Sequence, residues 1–184
     1  MTHSFEDISY AEQLFDQFYD IGSCPGGGVT RLGYTEVEDQ MHTLFVKLGE
    51  EEGYRNFSDE VGNTYVCNSD CSRGYHLIGS HLDSVIEGGR YDGVAGILAG
   101  LMVMKWIKED NLNIPVRVGA FRCEESSNFG RATIGSGLIT REATKHDIAD
   151  ATGKDGRQLL DIFQERGYNF APSRIDGMRD YLRS

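Results

Sequence analysis

Gly79-Ser80-His81-Leu82-Asp83-Ser84, followed three residues later by Gly88-Gly89-Arg90-Tyr91-Asp92-Gly93-Val94-Ala95-Gly96, decides the fold of this chain. Leu77 and Ile78 lead into His81 as a short apolar run that ends in a polar loop, the pattern of a buried strand. Residues two apart on a strand share a face, so His81 and Asp83 point together. Asp92 lies past a glycine-rich turn and opens a long apolar helix from Val94 to about Lys108, where a carboxylate is favoured by the free N–H groups of the first turn. A strand end thus delivers an imidazole and a helix start delivers a carboxylate. That is how an α/β protein builds a metal site, in the crevice at the carboxyl ends of its strands. The plainer reading is a loop pair beside ordinary turn glycines.

A second stretch favours the metal reading. Val116-Arg117-Val118-Gly119-Ala120-Phe121 is another strand, and it runs into Cys123-Glu124-Glu125-Ser126. Adjacent carboxylates at a strand end repel unless a cation or a proton offsets them. On an extended segment the two face opposite ways, so one Glu can bind metal while the other meets substrate or water.

These motifs resemble the M20-type dinuclear metallohydrolases. More narrowly, they resemble the branch of N-carbamoyl-L-amino-acid amidohydrolases and allantoate amidohydrolases, the hydantoinase/carbamoylase group. The narrower likeness rests on Gly27-Gly28-Val29-Thr30-Arg31-Leu32, on Gly88-Gly89-Arg90-Tyr91-Asp92-Gly93, and on Glu124-Glu125-Ser126-Ser127-Asn128-Phe129-Gly130 followed by Ile134-Gly135-Ser136. It covers nearly the whole chain in order. The resemblance implies His81 as a ligand of one metal, Asp92 as a bridge between two, and Glu125 as a ligand of the second. It implies Glu124 as the general base and Asp83 as the residue that orients His81 and raises its basicity. The implied reaction is hydrolysis of a linear ureido or amide C–N bond of an N-carbamoyl-L-amino acid or allantoate by metal-activated water. Nitrogen and oxygen ligands suit Zn²⁺ and Mn²⁺ alike. An M20 aminoacylase or peptidase is the alternative enzyme reading, and a non-catalytic remnant or interaction module is the alternative outside enzymes.

The resemblance also implies an incomplete site. The family's chains are much longer, their catalytic domain is discontinuous, and a further histidine ligand lies in a Glu-Leu-His-Ile-Glu-Gln-Gly segment. Met178 to Ser184 aligns with the residues leading up to it. Residues 1–184 are therefore expected to be the N-terminal portion of the catalytic domain, without the lid and dimerisation domain through which the complete enzyme would form a homodimer. Two protein groups per ion are fewer than the three a tight site needs. Metal is expected to be weak or absent in this chain, turnover negligible, and at least one of the clustered carboxylates protonated or turned to solvent.

Composition sets outer bounds. A chain of 184 residues is long enough to bury a core. A net charge of −11, spread along the chain, argues against nucleic acid and against an anionic membrane. No apolar run reaches spanning length, and Met1 to Asp7 lacks the pattern of a signal peptide, so a cytoplasmic protein is expected; the small-molecule substrate is what the resemblance implies. Cys24, Cys67, Cys71 and Cys123 do not form the two close pairs of a zinc ribbon and are expected as thiols. Cys123 is read as packing, because a neighbouring carboxylate raises a thiol pKa. His3, His42, His76 and His146 lack a carboxylate at ligand spacing and are read as structural or solvated.

The expected fold class is α/β, a three-layer sandwich around a mixed sheet with helices on both faces, like a dinuclear zinc peptidase. Helices are predicted from about Phe5 to Ile21, after Thr35 to about Glu51, over Ala132 to Ile139, and from Asp155 to Arg166 with Gly167 closing it. Thr35-Glu36-Val37-Glu38 has the form of a capping box. Strands are predicted at Tyr54 to Ser58, Asn63 to Cys67, Tyr75 to Ser80 and Ile114 to Phe121. The resemblance implies strain at the Asp92–Gly93 bond, read as a cis peptide.

Overall fold

The structure is a computed structural model that describes residues 5–71, 74–140 and 142–170. His3 and the aligned segment 178–184 lie outside the described residues. In chain order the elements are α1 (Phe5–Asp20), α2 (Glu36–Glu51), β1 (Arg55–Ser58), β2 (Thr64–Cys67), β3 (His76–His81), α3 (Val94–Glu109), β4 (Val116–Phe121), α4 (Ile134–Thr140), α5 (Lys145–Ile148) and α6 (Leu159–Arg166).

The four strands form one mixed sheet in the order β1-β2-β4-β3. The turn at Asp59 to Gly62 is short, so β1 and β2 pair antiparallel; β2 and β4 also run antiparallel. β3 and β4 are parallel because α3 lies between them and returns the chain to the starting edge. Their register sets His81 level with Phe121. The residues that follow each strand, Leu82-Asp83 and Arg122 to Glu125, therefore emerge side by side at one end of the sheet.

α2 packs on β1 and β2, and α3 on β3 and β4, with α1 against α3. This packing lies on the sheet face that carries Val66, Val118 and Ala120, where Leu14, Phe18, Met41, Phe45, Ile97 and Met104 close the core. The opposite face carries a different set. Phe57 stacks on Tyr65 at 4.8 Å, Phe121 meets Tyr65 edge-on, and the Arg117 guanidinium lies 3.8 Å from the Tyr75 ring centre. The α/β class and the mixed sheet are as expected. Of the expected layers, the described residues show the sheet and the helical layer of α1 to α3. A second cluster, around Tyr34, Cys123, Phe129, Leu138, Ile148 and Phe163, joins α4, α5 and α6 to the loops beside the strand ends.

Several expectations are corrected. Thr35 is the N-cap residue of α2 but makes no side-chain cap bond, and its hydroxyl donates to the Leu32 carbonyl at 2.6 Å instead. Glu38 does not close a box on Thr35; its carboxylate is turned inward, accepting the Tyr34 N–H at 2.6 Å. α6 starts at Leu159, not Asp155, because Thr152 and Gln158 bridge across a turn that uses those residues. α5 was not predicted, although Thr144 and Asp147 form a capping box there. The Asp92–Gly93 bond is not cis, and no described peptide is. The turn is made by Gly93 at φ +67°, a conformation open to glycine without the steric cost other residues meet.

Candidate metal centre

Asp83 joins the two strand ends. Its side chain is fully buried, and each oxygen accepts one backbone N–H, Glu124 at 3.0 Å and Glu125 at 2.9 Å. His81 Nδ1 lies 3.3 Å from Asp83 Oδ1 and 3.1 Å from the Asp83 carbonyl. One buried carboxylate thus orients the imidazole and shapes the turn that carries both glutamates. With Nδ1 engaged, Nε2 is the nitrogen left to face outward, 3.7 Å from Asp92 Oδ1 and 3.8 Å from Glu124 Oε2.

His81, Glu124 and Glu125 each offer a ligand atom within 4.8 Å of the others. Asp92 adds a fourth group from the start of α3. The five residues singled out in the sequence are therefore brought together at one sheet end. Gly93 allows this closeness: a Cβ there would lie 2.5 Å from the His81 carbonyl oxygen and 2.7 Å from its ring. Among the other histidines, His42 is buried in α2 with Nδ1 2.7 Å from the Thr64 hydroxyl, and burial holds its pKa well below the usual value.

The electrostatics suit a cation. Burial, then the charges of Asp92 and Glu124, push the Glu125 carboxyl up from its ordinary value. For His81, burial favours the neutral ring, but the hydrogen bond to Asp83 and the charges of Asp83 and Glu124 outweigh it, lifting the imidazole to about 9. Carboxylates short of positive charge borrow it from a proton on His81, and a divalent ion would take that place. Cys123 is fully buried, and burial, then Glu38 and Asp83, hold its thiol well above the usual range, which disfavours a nucleophilic role.

The His81 shift fixes a pH dependence. A histidine whose folded pKa is raised from 6.5 to about 9 stabilises the fold fully below pH 6.5, and that stability is lost as pH rises through about 9. The metal-free chain is expected to lose up to roughly 3 kcal/mol between those limits. Urea denaturation in EDTA across this window would show it, and His81→Ala should flatten the slope. A slope unchanged by that substitution would contradict the assignment.

Sequence reasoning missed the supports behind this turn. Cys123 takes φ +50°. Gly33 makes room for it, since a Cβ there would lie 2.4 Å from the Cys123 sulfur. Asn128 Nδ2 donates to the Gly33 carbonyl at 2.7 Å. The buried Arg31 donates to the Phe18 and Ile21 carbonyls, tying the end of α1 to the same segment. Arg31 and Asn128 lie inside the stretches that carry the resemblance and Gly33 and Cys123 border them, but no spacing rule marks them. An open apolar groove between α1 and α3, lined by Ile8, Phe15, Leu98, Met102 and Trp106, contains none of the site residues.

The chain shares its fold with solved amidases. The chain superposes on a hydantoinase/carbamoylase family amidase from Burkholderia ambifaria with a TM-score of 0.78 and 29% identity, covering 90% of this chain and 42% of that one. Among curated proteins, it is 37% identical over 166 residues to an N-carbamoyl-L-amino acid amidohydrolase of Geobacillus stearothermophilus, covering 85% of this chain and 38% of the relative. It is 29% identical over 185 residues to an allantoate amidohydrolase of Escherichia coli K12, covering 98% of this chain and 44% of the relative. No family model matches. The relatives are named as hydrolases of C–N bonds, and this chain spans about two fifths of their length. No helix among the described residues is long and apolar enough to cross a membrane.

Proposed function

We propose that this chain is the N-terminal part of the catalytic domain of a metal-dependent amidohydrolase of the hydantoinase/carbamoylase group, acting on the ureido or amide C–N bond of an N-carbamoyl-L-amino acid or allantoate. The observation that carries the reading is the convergence of His81, Asp92, Glu124 and Glu125, with Asp83 beneath them. The donor set fits a divalent ion of the Zn²⁺ or Mn²⁺ type: neutral imidazole and carboxylate oxygens, with excess negative charge at the site. His81, Asp92 and Glu125 would hold the metal.

When bound, the ions supply polarisation of the scissile carbonyl and a lowered pKa for water. The chain's own residues do the rest. Asp83 holds the proton on His81 Nδ1 and so keeps Nε2 free for an ion. Glu124, which is less buried than His81, accepts the proton of the attacking water and returns it to the leaving nitrogen. The proposed substrate is a small anionic ureido compound.

The test is a panel of N-carbamoyl-L-amino acids, allantoate and dipeptides. It is run with millimolar Mn²⁺ or Zn²⁺ on residues 1–184 and on the longest natural polypeptide containing them. The longer protein is expected to hydrolyse a ureido compound and to lose turnover, but not fold, on Glu124→Gln. Residues 1–184 alone are expected to show negligible turnover. Hydrolysis of dipeptides only would favour the aminoacylase or peptidase reading. A normal enzymatic rate by residues 1–184 would overturn the incomplete-site reading.

A further inference from the structure

The three backbone N–H groups of Cys123, Glu124 and Glu125 are all held by carboxylates with no exposure to solvent. Asp83 takes the second and third. The first donates to Glu38 Oε1 at 2.8 Å. Glu38 comes from α2, and its other oxygen accepts the Tyr34 N–H at 2.6 Å and Arg122 Nη1 at 2.9 Å. Arg122 is itself fixed, its Nε donating to the Gly62 carbonyl at 2.9 Å and its N–H to Asn63 Oδ1 at 2.7 Å. Cys123 stands between these clamps at φ +50°, which for a residue with a Cβ is strained and persists only where its surroundings fix it. A residue in the ordinary extended conformation there would continue β4 and carry Glu124 and Glu125 along a different path.

We propose that Glu38 is a positioning residue for the metal site: its buried carboxylate, by holding the Cys123 N–H against the fixed Arg122, sets the turn that delivers Glu124 and Glu125 to His81. The inference rests on the proposed function for what the turn is for, but not for the turn itself. Glu38 does not touch the ligand cluster and acts only through the backbone. This also explains why its side chain abandons the capping box that its spacing from Thr35 offers.

A merely structural role is the competing account, in which Glu38 only neutralises Arg122. Asp39 separates the two. It also accepts from Arg122 Nη1, at 2.6 Å, and binds Arg166, yet it holds no N–H of the turn. The experiment is residue-resolved amide hydrogen exchange by NMR on residues 1–184, metal-free, for the parent, Glu38→Gln and Asp39→Asn, with Mn²⁺ titrations of the same proteins. In the parent, the Cys123 amide is expected to be protected. In Glu38→Gln, exchange at Cys123, Glu124 and Glu125 is expected to rise at least about tenfold beyond any change at Val118 and Ala120. Mn²⁺ affinity is expected to fall about tenfold or more. Asp39→Asn is expected to leave both readouts in place.

Uniform loosening of the whole chain by both substitutions would overturn the proposal. So would loosened amides with parental Mn²⁺ affinity. If Glu38→Gln does not fold, the parent decides: a Cys123 amide that exchanges like a free loop amide overturns the clamp. If the turn loosens as expected but neither residues 1–184 nor the longest natural polypeptide containing them binds Mn²⁺, the metal-site reading fails and the clamp stands.

Discussion

Asp83→Ala is expected to cost about 3–5 kcal/mol, the range for removing one partner from a buried charged network. Against a typical total of about 5–15 kcal/mol this is a large fraction, enough to leave some of the chain unfolded at 37 °C. Three interactions go together. The Glu124 and Glu125 N–H groups lose their acceptor, and His81 Nδ1 loses the carboxylate while keeping the residue-83 carbonyl. Both N–H groups are partly buried, so the freed donors have little water to turn to. Asp83→Asn keeps the shape but offers one acceptor oxygen where two are needed, and it is expected to fall between the parent and Asp83→Ala. Urea denaturation at constant pH measures both. A change under about 0.5 kcal/mol, the range of an ordinary surface substitution, would mean that Asp83 does not hold the strand ends together.

Gly93→Ala is expected to be the next most damaging change. Two costs add. A side chain at φ +67° carries roughly 1–2 kcal/mol of steric penalty. The new Cβ would also lie 2.5 Å from the His81 carbonyl oxygen and 2.7 Å from ring atoms Cε1 and Nδ1. The start of α3 or His81 must move, and overpacking of this kind adds about 1–3 kcal/mol. The loss should therefore exceed about 2 kcal/mol. It should also appear locally, because the His81 ring is the group displaced. NMR pH titration of His81 reads this: its pKa should drop back from about 9 towards 6.5 as the ring leaves Asp83. A thermal midpoint and a His81 titration both like the parent's would show that the chain accommodates the methyl group without moving the ring.

The long elements were legible because each buries one continuous apolar pattern. α1, α2 and α3 follow the spacing of Leu14 and Phe18, of Met41, Phe45 and Leu48, and of the almost wholly apolar Val94 to Ile107. Strand ends at His81 and Phe121 were legible from the change from apolar to polar residues, and the parallel register of β3 and β4 then put the site together. What was not legible depends on contacts between distant segments. Glu38 has the spacing of a capping residue, but it lies beside Arg122, 84 positions away, and a charged pair in the interior outweighs a cap at the surface. Gly33 reads as one loop glycine among many until Cys123 is seen against it. α5 was short enough for its one signal, Thr144 and Asp147, to be passed over. The start of α6 was set by a bridge between Thr152 and Gln158, which no helical periodicity reveals.

One sheet end gathers His81, Asp92, Glu124 and Glu125, and we propose that they hold divalent metal. The most direct test is an anomalous difference map from crystals of residues 1–184 soaked in millimolar Mn²⁺ or Zn²⁺, a concentration that allows for the weak binding expected of a partial ligand set. A peak is expected within ligand distance of His81 Nε2, about 2 Å for nitrogen, with carboxylate oxygens of Asp92 or the Glu124–Glu125 pair completing the contacts, and no such peak in His81→Ala. Peaks elsewhere on the acidic surface with none at His81, or a His81 peak that survives the substitution, would contradict it.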